Sequence, residues 1–190
     1  MSQSELLRRV IFVLDANAIE YMVTGSLVSS SQGEPRSTHD IDLIVNIHAS
    51  SVAALVRAFP APDYYLDEIA AMEAIHRRDL FNMLQVDTGD KVDFWILGND
   101  PYDRERFSRR VSWDLGDVQA NVSRPEDTIL QKLRWCELSG GSEKQFGDAR
   151  AVYELQYSIL DRAYIEAWAA KLNLASLWQR IQDEAEPLKA

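Results

Sequence analysis

The sequence predicts an α/β (α+β) protein in which a β-sheet flanked by helices is followed by a C-terminal helical region. Up to residue 122, short apolar runs with strand-like alternation are interleaved with amphipathic helical patterns. From residue 123 onward, apolar residues recur at helical spacing almost without interruption. We therefore expect a core over residues 1–122 and a helical region packed on it over residues 123–190.

Turn and capping residues delimit the elements of the first part. Gly25 ends a strand, Pro60 ends a helix, and the tetrapeptide 87–90 separates two apolar runs, which is typical of a β-hairpin. Strands are predicted over 18–24, 40–47, 81–86 and 91–97, with a second hairpin inside 111–122. Helices are predicted over 4–18, 26–31, 51–59, 65–77 and 101–110.

Helix signals dominate the second part of the chain. Pro125, followed by two acidic residues, is typical of a first helical turn, and Gly140-Gly141 ends the same helix. Helices are predicted over 125–138, 142–155, 161–172 and 176–184.

Composition excludes several classes of protein. The 46% of hydrophobic and 26% of charged residues are ordinary globular values, and the single cysteine, Cys136, rules out an intrachain disulfide. A net charge of −10 argues against an extended DNA-binding surface, because such surfaces need clustered Lys and Arg. Without an apolar run of about 20 residues or a signal-peptide pattern, we expect a cytoplasmic protein with no membrane partner.

Two short motifs contain the first candidate site residues. Gly25-Ser26 lies at the end of a predicted strand, and Asp40-Ile41-Asp42 begins the next one. Residues two apart in a strand project from the same face, so Asp40 and Asp42 point the same way. A cation relieves the repulsion between two such carboxylates, and hard oxygen ligands favour Mg²⁺ or Mn²⁺.

A third acid belongs to the later strand over 91–97. Asp93 lies between the apolar Val92 and Phe94, and a buried acid at this position needs a partner. An isolated Asp-x-Asp pair is more typical of a strand end with two solvated acids. Combined with Gly25-Ser26 and Asp93, the pair instead indicates a site for a metal and a nucleotide.

At these residues the sequence resembles the nucleotidyltransferase superfamily built on the DNA polymerase β-like minimal catalytic domain, whose signature is Gly-Ser, Asp-x-Asp and a later acid. The stretch 36–42 is similar to the Arg-x-Thr-x-Asp-x-Asp form of the AbiEii and MenT-type toxin nucleotidyltransferases. The stretch 127–132 and Asp148 are similar to the third and fourth motifs of that group. The resemblance implies a nucleotidyltransferase fold with a mixed β-sheet flanked by helices, and with the catalytic core over 1–122.

The resemblance also implies a role for each matched residue. Catalysis and the binding of Mg²⁺ or Mn²⁺ are expected of Asp40, Asp42 and Asp93. Binding of the nucleotide and its phosphates is expected of Gly25, Ser26, Arg36, Thr38, Lys132 and Asp148.

The function that this implies is transfer of NMP from an NTP to a hydroxyl acceptor, with release of pyrophosphate. The acceptor stays open between tRNA or other RNA, a protein and a small molecule. A toxin-like enzyme with a cognate antitoxin as partner competes with an aminoglycoside-type adenylyltransferase. A non-catalytic module that senses nucleotide or binds a partner is the alternative from another class.

Overall fold

The computed structural model describes residues 2–187, which contain one mixed β-sheet and helices before, between and after its strands. The strands are β1 Glu20–Thr24, β2 Asp40–Asn46, β3 Tyr64–Leu66, β4 Leu80–Gln85, β5 Lys91–Ile96, β6 Val111–Asp114 and β7 Gln119–Val122. The helices are α1 Gln3–Ala16, α2 Gly25–Gln32, α3 Val52–Ala58 (after a 3-10 turn, Ala49–Ser51), α4 Glu68–Arg77, α5 Pro101–Ser108, α6 Pro125–Leu138, α7 Glu143–Gln156, α8 Arg162–Lys171 and α9 Ala175–Glu184.

The described chain forms two units. The first contains the residues through Leu27 together with Ser37–Val122, and it includes the whole sheet. The second contains Val28–Arg36 together with the chain from Ser123 onward, and it is helical. The segment between the Gly25-Ser26 motif and the strand that carries Asp40 is therefore divided between the two units.

The strand order of the sheet is β3-β4-β5-β2-β1-β7-β6. β2 is parallel to β5 and β1 is parallel to β7, while the other neighbouring pairs are antiparallel. The prediction of a mixed sheet is thus confirmed, as are both predicted hairpins, β4–β5 and β6–β7.

One face of the sheet is the main apolar core of the first unit. β2 and β5 contribute alternate side chains that are fully buried, among them Ile41, Leu43, Val92 and Phe94. In this unit, α1 contacts β1 and α3, and α4 contacts α3 and β4. The alternation of buried and polar residues therefore fixes which side chains of β2 and β5 are left for the opposite face.

The opposite face is apolar at one end and polar at the other. Met22, Ile44, Leu97 and Phe107 form a buried cluster with Trp95 packed against it. The polar end begins one step further along the same strands, where acidic residues replace the apolar ones.

One helix prediction was wrong at its start. The sequence predicted a helix from residue 65, but Tyr64–Leu66 forms β3 and pairs with β4, and the helix begins at Glu68. Asp67 is the reason for the later start, because its side chain accepts hydrogen bonds from the backbone N–H groups of Ile69 and Ala70. Aromatic residues ahead of this cap suit an edge strand.

Among the helices of residues 2–187, none combines the length and the apolar character that crossing a lipid bilayer requires.

We predict that Leu43→Ala destabilises the protein by about 2–5 kcal/mol, because it opens a cavity in a closed part of the core. The matched control is Leu84→Ala in β4, since Leu84 is 37% exposed and its truncation should cost less than about 1 kcal/mol. Urea unfolding of the three proteins measures both losses. Equal losses would contradict the assignment of the two sheet faces.

Candidate functional site

Two of the three predicted acids lie side by side in the sheet. Asp42 of β2 pairs in register with Asp93 of β5, and in parallel strands such partners project from the same face. Asp40 lies two residues before Asp42 and therefore shares that face. The structure thus brings Asp40, Asp42 and Asp93 to one polar patch, while their catalytic and metal-binding roles stay predictions.

Gly25 lies directly against this patch. Its backbone has φ +71, in the left-handed region, and a Cβ at this position would overlap the carboxylate of Asp42. Only glycine fits here, because it adopts a positive φ readily and has no Cβ to overlap Asp42. The chain can therefore turn from β1 into α2 in contact with Asp42, and Ser26 follows in the first turn of that helix.

Asp93 has an unusual environment for a carboxylate. The residue is only 7% exposed, and its Oδ1 is buried and accepts no hydrogen bond within the described residues. A buried carboxylate oxygen without a donor is costly unless a cation or a proton donor satisfies it. This oxygen is the feature of the site that best fits a bound cation.

Lys91 lies among the acids and was not among the predicted site residues. Its Nζ is 2.9 Å from Asp93 Oδ2 and 3.9 Å from Asp40 Oδ1. The hydrogen bond to Asp93 raises the pKa of Lys91 above its ordinary value although burial opposes it, and the charges of the neighbouring carboxylates add to the increase. Strand alternation could have predicted this position from the sequence, because it places residues 91 and 93 on the same face of β5.

The fit of these residues to a divalent metal rests on their chemistry. Three carboxylates, one with an unsatisfied buried oxygen, are the hard oxygen donors that Mg²⁺ and Mn²⁺ prefer. With the side chains as they stand, no group of three or more His, Cys, Asp or Glu in residues 2–187 is arranged to hold a metal ion. The ammonium of Lys91 bonds to Asp93 Oδ2, which is one of the carboxylate oxygens that could ligate the metal.

The residues just before β2 make contacts with the first residue of that strand and with neighbouring segments. The Thr38 hydroxyl donates a 3.4 Å hydrogen bond to the Asp40 carbonyl, and the Thr38 carbonyl accepts one from Gln3 at 2.9 Å. His39 is exposed, and its Nδ1 is 3.8 Å from Asp90. In this arrangement Thr38 contacts the backbone at Asp40.

The other predicted phosphate-binding residues belong to the second unit, where they form one cluster. Arg36 donates to Asp148 through Nε at 3.0 Å and through Nη2 at 2.8 Å, and Lys132 Nζ donates to Asp148 Oδ2 at 2.7 Å. The side chain of Lys132 is 5% exposed and that of Asp148 is 11% exposed. One carboxylate thus orients two cations that the sequence separates widely.

The charges in this cluster affect each other. Burial raises the pKa of Asp148, but the hydrogen bonds from Arg36 and Lys132 outweigh burial and hold the pKa below its ordinary value. The same contact raises the pKa of Arg36. Asp148 is therefore ionised at neutral pH, and the cluster carries a net positive charge.

Known structures identify the fold. No protein-family model matches this chain, and no curated protein matches it in sequence. The solution structure of the antibiotic-resistance factor ANT(2'')-Ia is similar over 96% of this chain and 98% of that chain, with a TM-score of 0.59 and 12% identity. This is the nucleotidyltransferase fold.

A second structure agrees. An antigenic nucleotidyltransferase-like protein from Paracoccidioides brasiliensis is similar over 98% of this chain and 96% of that chain, with a TM-score of 0.50 and 14% identity. Both likenesses cover nearly the whole length of each chain, and at such low identities they establish the fold. The predicted nucleotidyltransferase fold is confirmed.

We predict that Gly25→Ala destabilises the nucleotidyltransferase fold more than Gly89→Ala does. Both glycines have positive φ, so both substitutions cost about 1–2 kcal/mol of backbone strain. A Cβ at Gly89 meets nothing within 4 Å, whereas one at Gly25 overlaps Asp42 and should add about 1–3 kcal/mol. Chemical denaturation of both variants measures the difference, and equal losses would refute the close approach of Gly25 to Asp42.

We predict that Asp148→Asn lowers the free energy of unfolding by about 2–3 kcal/mol at neutral pH, because two cations lose their counter-ion and one of them is buried. The pKa of Asp148 is depressed in the folded state, so its stabilisation is complete above the ordinary pKa of about 3.9 and declines as pH falls further. The difference between wild type and variant should therefore narrow below about pH 4.

Urea unfolding at a series of pH values tests this dependence. Asp183→Asn is the control, because Asp183 is exposed and accepts only from Gln179 in the described contacts. A loss at Asp148→Asn that stays constant down to low pH would contradict the ion pairs as its cause.

Proposed function

We propose that the protein is a metal-dependent nucleotidyltransferase that transfers NMP from an NTP to a hydroxyl group and releases pyrophosphate. One observation supports the proposal above all others: Asp42 and Asp93 are paired in register, and Asp93 keeps a buried carboxylate oxygen without a hydrogen bond. This acidic patch lies beside a left-handed glycine at a helix start, on a nucleotidyltransferase fold.

The metal in this proposal is Mg²⁺ or Mn²⁺, held by Asp40, Asp42 and Asp93. When bound, it would neutralise negative charge on the triphosphate and orient the α-phosphate for attack. The remaining tasks belong to side chains and backbone groups of the protein.

Asp93 is proposed to orient the acceptor hydroxyl and to take its proton. The hydroxyl oxygen forms a bond to the α-phosphorus, the bond from that phosphorus to the bridging oxygen breaks, and pyrophosphate leaves. A carboxylate that is almost completely buried keeps a fixed position, which favours such proton transfer.

The phosphate groups need hydrogen-bond donors and positive charge. Gly25 and Ser26 supply backbone N–H groups at the start of α2, where a helix favours anions. Arg36 and Lys132, oriented by Asp148, are proposed to interact with phosphate oxygens, and Lys132 is proposed to stabilise the leaving pyrophosphate. Thr38 is proposed to position the segment that leads into Asp40.

The acceptor that we favour is a cationic small molecule of the aminoglycoside type. A net charge of −10 attracts cations and disfavours long nucleic acids, and the antibiotic-resistance factor ANT(2'')-Ia has the same fold over nearly its whole length. The motif similarity over 36–42 instead favours a toxin-like enzyme of the AbiEii type that modifies tRNA or a protein and has a cognate antitoxin.

A non-catalytic nucleotide sensor is the second candidate function. The observation that favours it is the ion pair between Lys91 and Asp93, since an ammonium bonded to a catalytic acid opposes metal binding at that oxygen. Such a protein would bind NTP and transfer nothing.

We predict that the wild-type protein transfers label from α-labelled NTP in the presence of Mg²⁺ or Mn²⁺, and that Asp93→Asn lowers the rate by about 10²–10⁴-fold because the proton acceptor is lost. Asp42→Asn should also abolish most of the transfer. The assay uses separate pools of tRNA, cell protein and aminoglycosides, and the labelled pool identifies the class of acceptor.

The control is Asp87→Asn, which removes an exposed acid from the turn of the same hairpin that carries Asp93. Its rate should equal that of the wild type. Nucleotide binding with no transfer into any pool would support the sensor, and transfer that persists in Asp42→Asn and Asp93→Asn would refute the proposed site.

A further inference from the structure

Lys91 has a position that the proposed chemistry does not explain. It is the first residue of β5, pairs in register with Asp40 on one side and with Leu84 on the other, and projects from the face that carries Asp93. Its ammonium lies 2.9 Å from Asp93 Oδ2 and 3.9 Å from Asp40 Oδ1. It therefore bonds to one proposed metal ligand and lies near another.

The surroundings make this contact stronger than a surface ion pair. The side chain of Asp93 is 9% exposed, so its charge is poorly solvated and a cationic partner matters more than it would in open solvent. Lys91 Nζ pairs with Oδ2, whereas Oδ1 accepts no hydrogen bond within residues 2–187. Asp93 thus has one oxygen paired with Lys91 and one oxygen left for another donor or cation.

The two partners also differ in freedom of movement. The Lys91 side chain is 38% exposed and ends a flexible four-carbon stem, so it can swing into solvent. Asp93 is held by the strands on both sides of β5. If a second cation enters, Lys91 is the group that can leave.

We propose that Lys91 is a competing cation built into the acidic site: it pairs with Asp93 and Asp40 in the metal-free protein and leaves Asp93 Oδ2 when a divalent cation binds. The inference rests on the proposed function, because it concerns the proposed metal ligands. The ammonium and a divalent cation would repel each other strongly if both contacted that oxygen, because an oxygen ligand of Mg²⁺ lies only about 2.0–2.1 Å from the metal.

This competition has a consequence for substrate binding. An intramolecular ammonium lowers the affinity of the site for a free divalent cation: a cation that binds through Oδ2 must break the Lys91–Asp93 ion pair, and one that binds through Oδ1 alone is repelled by the nearby ammonium. A cation that arrives with the NTP is helped by its phosphates, so Lys91 makes metal binding depend on nucleotide. Lys91 is in this sense a positioning residue that acts through Asp93.

A purely structural lysine makes a different prediction. Its removal would destabilise the protein by leaving Asp93 buried without a counter-ion, and metal binding would stay unchanged or weaken. Competition predicts two opposite effects in a single variant, namely lower stability without metal and tighter binding of metal.

The experiment is a titration of the full chain with Mn²⁺ in the absence of nucleotide, with free Mn²⁺ measured by electron paramagnetic resonance. We expect Lys91→Met to bind Mn²⁺ about tenfold more tightly than the wild type, because one partly screened positive charge is removed beside the ligands. Lys91→Gln, which keeps a hydrogen-bond donor for Asp93, should also bind more tightly and serves if Lys91→Met does not fold. Lys91→Arg keeps the charge and should bind as the wild type does.

Thermal unfolding supplies the second readout. Without metal, Lys91→Met should unfold at a lower temperature than the wild type, and saturating Mn²⁺ should raise its Tm more than it raises that of the wild type. Lys144→Met is the matched control, because Lys144 is an exposed lysine of the second unit and its removal changes the net charge equally. It should change neither readout.

The outcomes separate this inference from the proposed function. If Lys91→Met and Lys91→Gln gain no affinity while Asp93→Asn abolishes Mn²⁺ binding, the inference is wrong and the proposed metal ligands stand. If neither the wild type nor a Lys91 variant binds Mn²⁺ without nucleotide, the inference is overturned, whereas the metal dependence is decided by the label-transfer assay with and without Mg²⁺ or Mn²⁺. If both Lys91 variants gain affinity but the protein transfers no label, Lys91 competes with metal in a protein that is not an enzyme.

Discussion

The register between the parallel strands β2 and β5 is the constraint on which the rest of the site depends. It places Asp42 beside Asp93 and Asp40 beside Lys91, while Ile41, Leu43, Val92 and Phe94 face the core. A shift of either strand by one residue would move its acids into the core and its apolar side chains to the polar face. Burial of the apolar residues therefore maintains the geometry of the acids, and the core and the site are specified by the same alternation.

The charges of these residues determine which ligands the acidic patch can bind. Three carboxylates on one sheet face repel each other, and two features lie directly against them, the backbone turn at Gly25 and the ammonium of Lys91. Glycine allows the chain to approach Asp42 without a side chain in between. Lys91 offsets part of the negative charge but leaves Asp93 Oδ1 without a hydrogen bond. Because this buried oxygen still requires a cation or a proton donor, the patch favours ligands of that kind.

The second unit also contains a charged cluster, but there a single carboxylate pairs with two cations. Asp148 is the carboxylate there, and Lys132 and Arg36 are the cations that it orients. Lys132 has a long flexible side chain, and the ion pair limits its freedom while leaving the cluster with a net positive charge. Arg36 bonds to Asp148 and belongs, with the rest of Val28–Arg36, to the second unit, although this segment lies in sequence between Gly25-Ser26 and the strand that carries Asp40.

The sequence alone determined what depends on local patterns: both hairpins, the helices of the second unit, and the shared face of Asp40 and Asp42, because side-chain period and turn residues are short-range properties. It failed at Tyr65, where pairing with β4 and the Asp67 cap outweighed a helical pattern. Only the tertiary structure decided the parallel pairing of Asp42 with Asp93, the ion pair of Lys91 and the bonds of Arg36 and Lys132 to Asp148. These contacts join residues through strand pairing and side-chain reach, and neither is encoded in the spacing of the residues along the chain.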